Sequence, residues 1–125
     1  MVILHRDGRA LLQLRDSAPG VYAGGQWGIF GGHLEPGEAP EAAARREIEE
    51  ELNLRLPDGE PLPLVVHRTD AGRERFVYAA LLTVALDRLS LREGQGMGLI
   101  PREAYASHPI VPIHREILER FFEGR

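Results

Sequence analysis

Apolar positions along the chain fall into short blocks separated by turn-forming residues, with one long helical repeat in between. Val2 to Arg6 and Ala10 to Arg15 flank Asp7-Gly8, a strong turn dipeptide, and predict a β-hairpin. Residues 16–26 (DSAPGVYAGGQ) are rich in Gly, Pro and Ser and predict a loop, with Tyr22 as the large side chain in its middle. Trp27 to Gly32 (WGIFGG) predicts a strand ending in a glycine pair, where backbone can come close to a ligand or to another segment. Glu35-Pro36-Gly37-Glu38 predicts a turn, and from Pro40 onward Ala44, Ile48 and Leu52 recur every four residues, the signature of a helix that opens at the proline. Arg55 to Pro61 reads as a turn region, Leu62 to Arg68 as a strand with Pro63 near its start, and Asp70-Ala71-Gly72 as a further turn. Arg75 to Leu86 (RFVYAALLTVAL) is apolar throughout, so its periodicity fits helix or strand. Phe76, Val77, Tyr78, Thr83 and Val84 are strand formers, which favours a central strand. Ser90 to Ile100 reads as a loop entering a last short strand, and Pro101 to Tyr105 as a helical turn. Ile113, Ile117, Leu118 and Phe121 mark an amphipathic C-terminal helix that packs on the sheet. Several short strands with one helix in the middle and one at the end predict an α+β sandwich, a mixed β-sheet between helices.

At 125 residues, the chain has enough length for one hydrophobic core and reads as a single domain over 1–125. Its apolar and charged fractions are those of an ordinary soluble protein, and no apolar run is long enough to span a membrane. The N-terminus MVILHRDGR has no signal-peptide pattern, so a cytoplasmic protein is the expectation. A chain without cysteine has neither disulfides nor thiolate metal sites, and this suits a reducing compartment. The net charge of −4, with no Lys/Arg run, argues against a DNA or RNA duplex as partner. The five histidines lack zinc-ligand spacing, and no Ser/His/Asp order or phosphate-cradling GxxxxGK stands out.

The chemistry concentrates in Gly32 to Leu54, GHLEPGEAPEAAARREIEEELNL. Glu47, Glu50 and Glu51 stand at i, i+3 and i+4, so a helix gathers them on one stripe beside the apolar one. Such like charges repel by a few tenths of a kcal/mol per pair in water, and a hard divalent cation would turn the repulsion into coordination. A Glu-rich helix taken alone is more often a solvated face. Here Gly32, Glu38, Arg46, Glu47, Ile48, Glu50, Glu51 and Leu54 fall on the pattern G-x5-E-x7-R-E-U-x-E-E-x-G-U, with U a bulky aliphatic residue. The stretch resembles the box of the Nudix hydrolases, enzymes that cleave a nucleoside diphosphate linked to another group. Asn53 replaces the last glycine, and asparagine is the next-best residue for the left-handed conformation that ends a helix.

The resemblance implies an α/β/α Nudix sandwich over nearly the whole chain. It also implies hydrolysis of NDP-X to NMP and phosphate-X, with Mg²⁺ as cofactor and Mn²⁺ as a substitute. Glu50 and Glu51 are the implied main metal ligands and Glu47 a further one. Arg46 is the implied partner that orients a box glutamate, Glu47, and Glu38 lies near the metal site and supports the loop. Glu93, beside the glycines of EGQGMG, is the candidate general base or additional ligand, against the alternative of a solvated loop carboxylate. Arg15, leaving the second strand, is a candidate for binding substrate phosphate, and Gly32 and Glu38 are placed with it on the substrate side. Tyr22 either packs its loop or helps hold a base. Residues 69–72 lack the family's proline marker for ADP-ribose and its tyrosine marker for dinucleoside polyphosphates, leaving a (deoxy)nucleoside triphosphate or another small nucleotide as the leading substrate. The alternative function is a non-catalytic nucleotide-sensing or protein-binding module of the same fold. Homodimers are common in the family. A family member's first strand usually has residues ahead of it, so the resemblance leaves two expectations for Met1, a trimmed N-terminus or a start set too late.

Overall fold

In the computed structural model, residues 1–20, 23–68, 72 and 74–124 are described, with backbone alone over 65–68. Tyr22 and most of the 69–72 turn lie outside them.

The hairpin forms as its turn dictates. Strand β1 (Val2–Arg6) pairs antiparallel with β2 (Arg9–Leu14), His5 opposite Ala10. Asp7 and Gly8 both take positive φ, as a tight two-residue connection of twisted strands requires. On its C-terminal half β2 meets the short β3 (Trp27–Gly28), and along its whole length it pairs with β6 (Gly96–Pro101). On the other side β1 runs parallel to β5 (Glu74–Leu81), which is antiparallel to β4 (Leu62–Arg68) with a bulge between Pro63 and Val65. One parallel pairing among antiparallel ones makes the sheet mixed.

Both faces of this sheet are covered. Val2, Leu4, Leu11, Tyr78 and Ala80 point to one side, where helix α1 (Pro40–Leu52) lays down Ala44, Ile48 and Leu52. Ile3, Ala10, Leu12, Val77 and Ala79 point to the other, where Ile117 and Leu118 of helix α2 (Pro112–Phe122) and Tyr105 of the short 3₁₀ segment Arg102–Ser107 close the core. Strands buried on both faces lose the in/out alternation of a half-exposed strand, which is why the run from Arg75 showed no period of two.

Two elements are shorter than the sequence implied. The run predicted as a strand to Leu86 leaves the sheet after Leu81, because its partner β1 ends there. Leu82 N–H donates to His5 O (2.8 Å), Arg6 reaches Val84 O (2.8 Å), and the chain then turns through a 3₁₀ segment at Leu86–Arg88. Trp27 to Gly32 is regular only over its first two residues. Beyond Gly28 it keeps a single bridge, Val2 to Phe30, and Gly31 takes φ 151° where a side chain would strike the Met1 backbone. No described helix is long and apolar enough to cross a membrane.

Candidate active site

Three backbone features hold the box together. Gly37 (φ 77°) turns the chain so that Glu38 N–H donates to Glu35 O (3.0 Å). Pro40 starts α1 without needing a hydrogen-bond partner for a missing N–H. At the other end Asn53 adopts the left-handed conformation (φ 54°) and its N–H caps Glu49 O at 2.9 Å, so asparagine does here what the pattern's glycine would do.

Arg46 is the hub of the loop. Its Nε and Nη2 donate to the two oxygens of Glu38 (2.7 and 2.9 Å), its Nη1 to Glu47 (3.0 Å) and Glu50 (3.1 Å), and Nη2 also to His33 O (3.1 Å). The sequence reading paired Arg46 with Glu47. That contact exists, but the two-pronged grip falls on Glu38, whose carboxyl the Arg46 hydrogen bonds hold below its ordinary pKa. With both oxygens taken by Arg46, and one also accepting from Glu35 N–H (3.1 Å), Glu38 ties loop to helix.

The three helix glutamates have different surroundings. Successive positions differ by about 100° around a helix, so Glu51 lies toward the apolar stripe and Glu50 away from it. Glu51 is 4% exposed, whereas the Glu50 side chain is 60% exposed and drawn to Arg46. Among the described residues no three carboxylates or imidazoles are already gathered as a metal cage. What is gathered is a pair. Glu51 presses on Glu47, and its Oε2 is buried with no hydrogen-bond partner among the described residues. Burial, then the contact with Glu47 and the charge of Glu93, push the Glu51 carboxyl up to about 8. Two carboxylates can share such a contact only if one keeps a proton or a cation replaces it. The oxygen-only donor set, with the exposed Glu50 held nearby on Arg46, fits a hard divalent ion.

Gly32 completes this corner. A Cβ there would run into the Glu47 carboxylate, so the close approach foreseen for the glycine pair is, in this structure, to a side chain of the box. Because that carboxylate is the end of a flexible chain, Gly32→Ala should displace it without breaking the fold. A loss of at least tenfold in turnover with a melting temperature within about 2 °C of the parent is expected, checked by steady-state assay and thermal melt.

Two depressions meet here. The larger, about 810 Å³, has Ile29, Phe76, Val111, His114 and Arg75 on its walls and is of a size for a nucleotide. The smaller, about 440 Å³, holds Glu51, Glu93, Arg46 and Gln13. Arg15, Gly31 to Leu34 and Glu47 line both. Thus Arg15, Gly32, Arg46, Glu47, Glu51 and Glu93 come together around one pocket, while Glu38 and Glu50 are outside its lining and bonded to Arg46. Sequence reasoning missed two residues. Gln13, buried in β2, donates from Nε2 to Glu93 O (2.7 Å) and so pins the loop carrying Glu93. The signal was a polar side chain in the middle of LLQL. His114 was examined for zinc spacing alone, yet it is a buried wall of the larger depression.

The described fold agrees with comparison to known proteins. The NUDIX domain family model matches residues 1–121, and the chain belongs to the Nudix family. A stretch of 54 residues (43% of the chain) is 50% identical to the nucleoside triphosphatase NudI of Enterobacter sp. (strain 638), covering 38% of that protein. Another of 87 residues (65% of the chain) is 39% identical to the protein of the same name from Escherichia coli (strain UMN026), covering 61% of it. The matches therefore span less than two thirds of these relatives' lengths. Among solved structures, the MutT NUDIX hydrolase from Burkholderia pseudomallei superposes with a TM-score of 0.75 at 28% identity, over 94% of this chain and 92% of that one. The mixed sheet between helices is the architecture they share, and members of the family generally use divalent metals.

Proposed function

We propose that the chain hydrolyses a nucleoside diphosphate linked to another moiety, NDP-X, to NMP and phosphate-X, with nucleoside triphosphates as the leading substrates and Mg²⁺, replaceable by Mn²⁺, as the ion. The observation that carries this reading is the buried oxygen of Glu51, without a hydrogen-bond partner among the described residues and set against Glu47, in the lining of a pocket that adjoins a nucleotide-sized cleft. The NudI relatives are named nucleoside triphosphatases, which favours triphosphates among the candidate substrates.

Glu47, Glu50 and Glu51 would hold the ion, which when bound supplies neutralisation of phosphate charge and a more acidic water. Arg46 fixes the orientation of Glu47 and ties Glu50 and Glu38 into one frame, so little rearrangement is left for the reacting state. Arg15, shared by both depressions, sits where a phosphate chain passes from one to the other. Glu93 faces the same pocket from its own loop and is the group to take a proton from the attacking water, or else to add a ligand. Gln13 keeps that loop against β2.

A hydrolysis screen over NTPs, dNTPs, 8-oxo-dGTP, NDP-sugars and ADP-ribose with Mg²⁺ tests the reading. Release of a nucleoside monophosphate from the triphosphates is expected. No turnover of any of these with Mg²⁺ or Mn²⁺ would remove it.

A further inference from the structure

We propose that His114 reads the base of the bound nucleotide: its Nε2–H donates to a ring carbonyl oxygen, so that oxo bases (guanine, uracil, thymine) are taken in preference to adenine. This rests on the nucleotide reading above and goes beyond it in naming the selecting residue and the chemistry selected.

The argument begins with the other ring nitrogen. His114 is 7% exposed, and its Nδ1 accepts the Ile29 backbone N–H at 3.0 Å in a buried position. A neutral imidazole has one donor and one acceptor, so with Nδ1 accepting the proton must sit on Nε2. The ring is also held in place. A Cβ on Gly28 would lie 2.9 Å from Nδ1 and 3.3 Å from Cε1, which means the imidazole edge rests directly on the β3 backbone. Burial pushes the ring's pKa down to about 4, with Arg75 and Arg15 acting in the same direction, so it stays neutral and keeps this tautomer at physiological pH.

Nε2–H has no hydrogen-bond partner among the described residues, while the side chain lines the larger depression and not the smaller. His114 is therefore a fixed donor on the wall of a cleft that Ile29, Phe76 and Val111 also line, with Arg75 and Arg15 close enough to act on the ring, whereas Glu51 and Glu93 line the other depression. Phosphates belong there. With the ring held in this orientation, a donor facing the exocyclic amine of adenine leaves two donors opposed, whereas a carbonyl oxygen satisfies both sides. Sites of this kind discriminate strongly because the wrong partner leaves buried polar groups unmet.

Two substitutions separate base reading from structural support. His114→Asn places an amide oxygen near the position of Nδ1, keeps the Ile29 bond and removes the group that reaches the cleft. His114→Gln places an amide nitrogen near Nε2 and gives up the Ile29 bond. The measurements are kcat/KM for GTP, ATP, UTP and CTP with Mg²⁺, calorimetric titration of GMP and AMP without metal, and thermal melts. In the parent, GTP should exceed ATP, and GMP should bind more tightly than AMP. His114→Asn should melt near the parent temperature and lose about tenfold of both preferences, whereas His114→Gln should melt lower and keep most of them. A parent that hydrolyses all four triphosphates with no preference for GTP over ATP, or an Asn variant with the preference intact, overturns the inference while leaving the hydrolase reading in place. A parent that neither binds nor cleaves any nucleotide fails at the earlier step instead.

Discussion

Glu51→Gln should lower metal-dependent turnover by about 10³-fold while leaving the protein folded, and the two halves of that result have one cause. In the metal-free protein burial and Glu47 hold the Glu51 carboxyl up to about 8, so near neutral pH it is largely protonated. A glutamine of the same shape reproduces that neutral state and can still donate toward Glu47, so the packing beneath α1 has no reason to change. What it lacks is the capacity to become an anion when a cation arrives. A neutral amide is a poor substitute for a carboxylate in binding Mg²⁺, and the electrostatic help a bound ion gives to phosphoryl transfer amounts to several kcal/mol. At 1.36 kcal/mol per decade, about 4 kcal/mol corresponds to about 10³ in rate. Steady-state assays on the best triphosphate, beside a melt of the same sample, check both halves. Turnover equal to the parent would show that the reaction does not use this carboxylate.

Local order explains what could be read from the chain alone. The helix from Pro40 to its cap at Asn53 was legible because periodicity, an N-terminal proline and a residue tolerant of positive φ all act within a few positions. The hairpin at Asp7-Gly8 was legible for the same reason. The end of β5 was not, since it depends on where β1 stops, more than seventy residues earlier in the chain and adjacent only in space. The box itself shows the same division. Spacing placed Glu47, Glu50 and Glu51 on one stripe, but only the packed structure shows that Glu51 is buried on Glu47 while Glu50 turns out to Arg46. Nor does spacing reveal that Arg46 gives its fork to Glu38 across the Gly37 turn. Gln13 and His114 carry no motif at all. Their significance comes from what lies opposite them, the Glu93 loop in one case and the β3 backbone in the other. The readings of Tyr22 and of the 69–71 stretch fall outside the described residues.

The same proton on Glu51 should make stability depend on pH in a way that a divalent ion abolishes. In the unfolded chain a glutamate releases its proton near its ordinary value of 4.5, whereas the folded protein keeps it to about 8. Between those values the native state binds more protons than the unfolded state, so the contribution of Glu51 to stability is full below about pH 4.5 and is lost as pH rises toward 8. His114 acts in the opposite sense. Its pKa falls from 6.5 to about 4 on folding, so the unfolded chain takes up the proton first and stability drops as pH falls through that range. The Glu51 term is isolated by comparing the parent with Glu51→Gln, because every other titrating group is common to both. In EDTA the variant should gain on the parent by at most about 1.4 kcal/mol per pH unit across the window, with no further gain above about pH 8. Adding Mg²⁺ at pH 8 should stabilise the parent and not the variant, by about 2.7 kcal/mol at a hundred times its dissociation constant. At pH 5, where the ion must first displace the proton, the same concentration should do much less. Denaturant melts of both proteins at several pH values provide the measurement. Curves that run parallel from pH 5 to 8, or equal stabilisation of both proteins by Mg²⁺, would mean that the cation and this carboxyl do not compete for one place.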